Sequence, residues 1–197
     1  MIGELVDHLD LTDMVIMGQD WGGPIGMEIA SRRAARIRGL VMGNTWFWPD
    51  SSRMMRVISA SMGSRPVQWL IRQRNFFVSP LMKRSLRVDI TEAEFDHYLD
   101  VVPTPESRDC IAVLPVEIMR SHPWLGELEA RVAEALADKP VVLLFGRKDP
   151  ALGSDAVVDR WRTQFPDATY VDLPDAGHYI QEDAPDEIVR AIREAFG

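Results

Sequence analysis

The tightest constraint in the chain lies within residues 14–23. An apolar run, Met14 to Met17, is followed at once by Gly18-Gln19-Asp20-Trp21-Gly22-Gly23, and then by a helical stretch from Pro24 to Arg33. The run is too short for a helix and lacks polar alternation, so it reads as a strand covered on both faces. A strand that turns straight into a helix leaves little room beside the turn, which explains glycine on both flanks of Gln19-Asp20-Trp21. A chain with this passage is committed to parallel strands joined by helices.

Three further apolar runs fit that frame: Leu40 to Met42, Val141 to Phe145 and Thr169 to Leu173, the last less pure, as an outer strand would be. Helical patterns lie between them. Ile2, Leu5, Val6 and Leu9 follow one helical face, and Arg32 and Arg33 close the helix after the turn, where cations suit its negative end. Ser154 and Asp155 are placed to cap a helix running through Trp161, and Ala184-Pro185 opens a last helix with Ile188, Val189, Ile192 and Phe196 inward. The fold class is therefore α/β, a mostly parallel sheet flanked by helices. The stretch 46–137 breaks the alternation: it has no convincing strand and is rich in Met, Trp and Phe. It is too long for an unstructured loop, so it predicts an inserted helical cap. The expected organisation is a body over 1–45, the cap over 46–137, and the body resumed over 138–197.

The chemistry starts at Asp20. The G-x-D-x-G spacing between strand and helix is the setting of a nucleophile elbow, with aspartate where esterases carry serine. The helix N-terminus there would keep the carboxylate ionised. A serine attacking an alkyl halide would form an ether that water does not readily remove. A carboxylate forms an ester, which an activated water hydrolyses. Alone, Asp20 could equally be a surface residue in a glycine-rich turn. Two later residues change the balance. Asp149 in Gly146-Arg147-Lys148-Asp149-Pro150 follows one strand, and His178 in Pro174-Asp175-Ala176-Gly177-His178 follows the next, 29 residues on. Nucleophile, acid and base then occur in α/β-hydrolase order. His8, His97 and His122 lack such surroundings, no metal-ligand spacing links them, and Asp175 reads as a turn former.

Gln19-Asp20-Trp21-Gly22-Gly23, Gly43-Asn44-Thr45-Trp46, Gly146-Arg147-Lys148-Asp149 and Ala176-Gly177-His178 together resemble haloalkane dehalogenases of the α/β-hydrolase fold. That resemblance implies that Asp20 displaces halide from a small apolar halogenated substrate and that His178 activates water against the ester. It implies no cofactor and no metal. It makes the Trp21 indole N–H a halide donor and the Trp21 backbone N–H part of an oxyanion hole. Some members carry the acid just past the strand after the elbow. Here Asn44 holds that place, and asparagine supplies no charge, so Asp149 is the assignment. The second halide donor would be an asparagine in a loop before the elbow or a cap tryptophan such as Trp69. Trp46 and Phe47, with Trp48, are candidates for an apolar substrate wall, although packing accounts for them nearly as well.

Competing readings stay open. An epoxide hydrolase shares the aspartate nucleophile but wants acidic hydroxyls above it, and Tyr98 is the one tyrosine in the expected cap. A fluoroacetate-type enzyme would want cations for a carboxylate, and an inactive relative would only bind. The elbow strand of this fold normally follows about four others. Here it begins near residue 14, so the expectation is a chain lacking its N-terminal strands. The net charge of −8 argues against nucleic acid. The segment Arg53 to Arg87 stands out against it, with eight basic residues and no acidic one, and reads as a solvated helical surface. Cys110 is the only cysteine, which permits no internal disulfide. Glu4, Asp7 and Asp10 sit where a secretory leader would need a basic region, and no apolar run would span a bilayer, so a cytoplasmic protein is expected.

Overall fold

The computed structural model describes residues 1–197. Four parallel strands, β1 (Met14–Asp20), β2 (Ile37–Thr45), β3 (Val141–Gly146) and β4 (Thr169–Leu173), form one sheet in the order β1-β2-β3-β4. The four runs read from the sequence fall within these strands. Both parallel connections around β1 and β3 pass through helices, as the geometry of a parallel sheet demands. Helix α1 (Ile2–His8) precedes β1, and α2 (Gly22–Arg32) follows it directly. The inserted segment between β2 and β3 holds α3 (Arg53–Met62), α4 (Arg65–Arg74), a π-helical turn (Phe77–Met82), α5 (Lys83–Ser85), α6 (Glu92–Val101), α7 (Asp109–Arg120) and α8 (His122–Ala135). Helices α9 (Asp155–Gln164), α10 (Ile180–Asp183) and α11 (Pro185–Phe196) complete the chain.

The chain divides into two compact units, Met1–Trp48 with Trp124–Gly197, and Pro49–Pro123. The second unit is thus shorter than the interval 46–137: Trp46 to Trp48 and most of α8 group with the sheet. In the sheet unit, β2 and β3 are buried along nearly their whole length, because their branched and long apolar side chains face helices on both sides. Val41, Val142, Leu144 and Leu173 pack with Ile180, Ile188, Ala191 and Phe196 on one face. On the other face Gly26 of α2 lies so close that an added Cβ would come within 2.9 Å of Ile16. Trp124 Nε1 and Arg131 of α8 both reach Glu28 of α2, tying α8 to this unit.

In the helical unit α3 is capped by Ser52, whose hydroxyl accepts from Met55 N, and α6 starts with a full capping box between Thr91 and Glu94. Arg72, within the basic segment, pairs with Asp109 at 2.5 Å, so part of that charge is locally compensated.

Several local readings need correction. Of the α1 face only Val6 is buried, while Ile2, Leu5 and Leu9 are half exposed. Arg33 is the C-cap of α2, as expected, but its guanidinium turns to Asp7 with two hydrogen bonds at 2.8 and 2.5 Å. Ser154 occupies the N-cap of α9 without a side-chain cap bond, and Asp155 turns to Arg147 instead. Val189 points outward at 45% exposure, because the buried face of α11 carries Ile188, Ala191 and Phe196, and Val189 lies about 100° round the helix from Ile188.

Candidate active site

The site begins with the turn from β1 to α2. Asp20 sits at φ 48°, a left-handed backbone that costs a residue with a Cβ of order 1 kcal/mol or more and persists only when its surroundings enforce it. Two features enforce it. A Cβ on Gly18 would lie 2.6 Å from the Gly22 carbonyl, so strand and helix approach as closely as backbone allows. Thr45 Oγ1, on the neighbouring strand, donates to the Asp20 carbonyl at 2.5 Å. The sequence reading assigned the second space-limited glycine to position 22. The structure moves it by one: a Cβ on Gly22 would meet nothing within 4 Å, whereas one on Gly23 would collide with the Thr45 side chain.

The turn places the Asp20 carboxylate beside residues from two distant loops. His178 Nε2 stands 3.8 Å from Asp20 Oδ2, and His178 Nδ1 stands 2.8 Å from Asp149 Oδ2. Asp149 follows β3 and is buried at 3% exposure; His178 follows β4. The two loops are brought together by backbone: Lys148 N donates to the Ala176 carbonyl at 2.9 Å. Asp175, by contrast, is turned outward to Lys148 Nζ at 2.7 Å.

Electrostatics follow from that packing. Burial works to raise Asp149, but hydrogen bonds from His178 and Asn44 and the Leu152 N–H outweigh it, leaving its carboxyl below the ordinary range. Burial also pulls the His178 imidazole down, and is outweighed by the Asp149 hydrogen bond and the charges of Asp20 and Asp149, so its pKa lies above the ordinary value. For Asp20 burial is the larger effect and the Asp149 charge adds to it. The carboxyl is raised despite the pull of His178 and of the Trp21 N–H. Its side chain keeps 36% exposure.

Asn44 is a functional residue whose role the sequence reading did not see. It is fully buried, at φ 38°, and its amide nitrogen donates to Asp149 Oδ2 at 2.9 Å and to the carbonyls of Gly146 and Gly177, each at 3.2 Å. Its oxygen accepts from Gly146 N at 2.6 Å. One side chain therefore laces the acid loop to the base loop. The available signal was an Asn just past a strand, the residue type that best tolerates a left-handed backbone.

The aromatic candidates separate. Trp46 stacks edge-on against Trp21 with ring centroids 5.1 Å apart, and its buried Nε1 has no hydrogen-bond partner. Phe47 is wholly buried among Trp48, Trp161 and Phe165, and Trp161 Nε1 donates to the Thr45 carbonyl at 2.8 Å. That cluster braces the end of β2, and Phe47 is not beside Trp21. Trp69 lies in the helical unit and is 54% exposed. No group of three or more His, Cys, Asp or Glu side chains could hold a metal ion, and no helix is long and apolar enough to cross a membrane.

With this geometry described, comparisons with known proteins converge. A family model for the alpha/beta hydrolase fold matches residues 1–185. The chain is 45% identical over 197 residues to haloalkane dehalogenase 2 of Mycobacterium tuberculosis, spanning 100% of this chain and 69% of that protein. It is 28% identical over 204 residues to the cis-3-alkyl-4-alkyloxetan-2-one decarboxylase of Xanthomonas campestris pv. campestris, spanning 98% of this chain and 66% of that one. Among solved structures, haloalkane dehalogenase DbeA from Bradyrhizobium elkani USDA94 superposes with a TM-score of 0.84 at 25% identity, covering 98% of this chain and 70% of its own. A 45% identical relative of which this chain spans 69%, together with the matching family model, shows that the chain belongs to the haloalkane dehalogenase family of the α/β-hydrolase fold.

Proposed function

We propose that this chain cleaves carbon–halogen bonds by hydrolysis, through an alkyl ester on Asp20. The observation that carries the reading is the line Asp20–His178–Asp149, with separations of 3.8 and 2.8 Å. Asp20 Oδ attacks the carbon bearing the halogen, the carbon–halogen bond breaks, and halide leaves with the bonding pair. His178 Nε2 then takes a proton from a water whose oxygen attacks the ester carbonyl carbon. The acyl–oxygen bond to the alkyl group breaks, the alcohol departs, and Asp20 is regenerated. Asp149 stabilises the transient imidazolium and fixes the ring through Nδ1. Halide, alcohol and one proton balance substrate and water.

The Trp21 indole is the reading's first halide donor. The second is Trp46, supported by its buried, unpartnered N–H and its place against Trp21. A buried donor without an acceptor is costly, by about 1–3 kcal/mol, and calls for a ligand that accepts. Trp46 also serves as substrate wall in this reading, whereas Phe47 belongs to the packing around Trp161. A cytoplasmic setting rests on the lone Cys110.

The 28% relative with a different printed reaction makes the assay decisive. Bromide release from 1,2-dibromoethane and chloride release from 1-chlorobutane are expected, without diol formation from styrene oxide. With His178→Gln or His178→Phe the ester should persist, and mass spectrometry of the protein should place the alkyl group on Asp20. Turnover with Asp20 never modified would overturn the mechanism, and diol formation without halide release would overturn the substrate class.

A further inference from the structure

Gln19, the residue before the proposed nucleophile, is held by His178 at two points. Its amide nitrogen donates to the His178 carbonyl at 3.0 Å and stands 3.2 Å from His178 Nε2. A carbonyl only accepts, so the amide atom facing it must be the nitrogen, which settles the orientation of the amide. The second hydrogen of the same nitrogen then points at the ring, and Nε2 must be the acceptor. On the opposite side Asp149 Oδ2 faces Nδ1 at 2.8 Å and requires that nitrogen to carry the proton. Two partners, one on β1 and one in the loop after β3, thus impose the same neutral tautomer.

This arrangement has a consequence for the reaction. The lone pair that Gln19 holds is the one that must take a proton from water. Once Nε2 is protonated, two donors face each other. The amide must then withdraw or turn its oxygen inward, and turning sacrifices the bond to the His178 carbonyl. Gln19 therefore opposes protonation of the ring, against the carboxylates that favour it. The other charged or titratable groups around His178 are Asp149, Asp20 at 3.8 Å, the Tyr179 ring at 4.9 Å, and Asp183, which accepts from Gly177 N at 2.7 Å. Asp175 is turned outward to Lys148. None of these donates to Nε2.

We propose that Gln19 is a positioning residue that clasps His178 and keeps this base neutral, with its Nε2 lone pair directed at the site, until water arrives. The proposal rests on the reading of His178 as the water-activating base. It does not need turnover to be tested.

The test compares Gln19→Met, similar in length without a donor, and Gln19→Glu, equal in length but an acceptor, in the full chain. The chain has four histidines, so the His178 ring proton is assigned by its loss from the spectrum of His178→Gln. Proton NMR titration should give a His178 midpoint that rises in the order wild type, Gln19→Met, Gln19→Glu. Thermal melts establish that each variant is folded. In presteady-state assays the halide burst should be unchanged in Gln19→Met, while the acid limb of ester hydrolysis moves to higher pH with the NMR midpoint. In Gln19→Glu ester hydrolysis near pH 7 should fall roughly tenfold or more, as expected when a general base is held protonated. Equal midpoints in all three folded proteins, or a lower midpoint in Gln19→Met, would overturn the proposal. The expected midpoint order in a protein that releases no halide would uphold the Gln19 assignment and overturn the dehalogenase reading instead.

Discussion

At the scale of single residues, the two acidic side chains considered as partners of His178 occupy opposite environments. Asp149 is buried and bonded to Nδ1, while Asp175 faces solvent and Lys148. Asp149→Asn should therefore reduce ester hydrolysis by orders of magnitude, as loss of the acid does in a triad where only it stabilises the imidazolium. Asp175→Asn should change kcat by less than about threefold, since exposed ion pairs contribute little. Similar losses at both positions would mean that the acid is misassigned. The proposed acid was legible in the sequence because it follows a strand and precedes the histidine in the right order. Asn44 was legible only as a residue that could not be the acid. Its four hydrogen bonds reach residues 102 to 133 positions away, which no local pattern announces.

At the scale of elements, the strand-to-helix turn shows how spacing and space differ. The motif contains three glycines, and the sequence treats Gly22 and Gly23 alike. The packing of α2 on β2 distinguishes them, because Thr45 fills the space beside Gly23 while Gly22 faces open space. Gly22→Ala should be neutral or stabilise the fold by about 0.4–1 kcal/mol through the unfolded chain. Gly23→Ala should destabilise it by about 1–3 kcal/mol, the usual result of overpacking, and displace the Thr45 bond to the Asp20 carbonyl. Urea melts of the two variants give the comparison directly. Equal midpoints would show that the turn tolerates a side chain at either glycine. The strands were readable because continuous apolar runs have few other homes. The inward face of α11 was read too generously at Val189, since periodicity says which residues share a face and not how much of that face is covered.

At the scale of the whole molecule, the site is a source of both stability and cost. Asp149 has a pKa below its ordinary 3.8, so its contribution is present above that value and is lost as pH falls through the lower, folded one. His178 lies above its ordinary 6.5, so its contribution is present below 6.5 and is lost as pH rises through the folded value. Asp20 is also raised. The folded chain holds that proton more tightly, so stability declines as pH climbs from the ordinary 3.8 through the folded value. Above the folded His178 pKa the neutral imidazole no longer compensates the Asp20 charge beside Asp149. Asp20→Asn should then melt above the wild type, and the advantage should shrink as pH approaches about 4, where the carboxyl takes up its proton in either state. Calorimetry across that range tests it. A variant that melts at or below the wild type at the alkaline end would show that the ionised carboxylate is not held at a cost.

The sequence by itself determined the α/β alternation, the four parallel strands, the glycine-flanked turn and the order of aspartate, acid and histidine. These depend on apolar period, strand length and residue type within a few positions, which are local quantities. Only the tertiary structure decided which strands are neighbours, and with that the partnerships across the site. Gln19 meets His178 from 159 residues away, and Asn44 meets Asp149 from 105. Trp46 lies against Trp21, while Phe47, one residue on, turns into the cluster around Trp161. The physical reason is the same in each case. An amide or an indole has no spacing of its own to declare its partner, and adjacent residues past a strand end point to different sides of the sheet, so the partner is chosen by what the fold brings within reach.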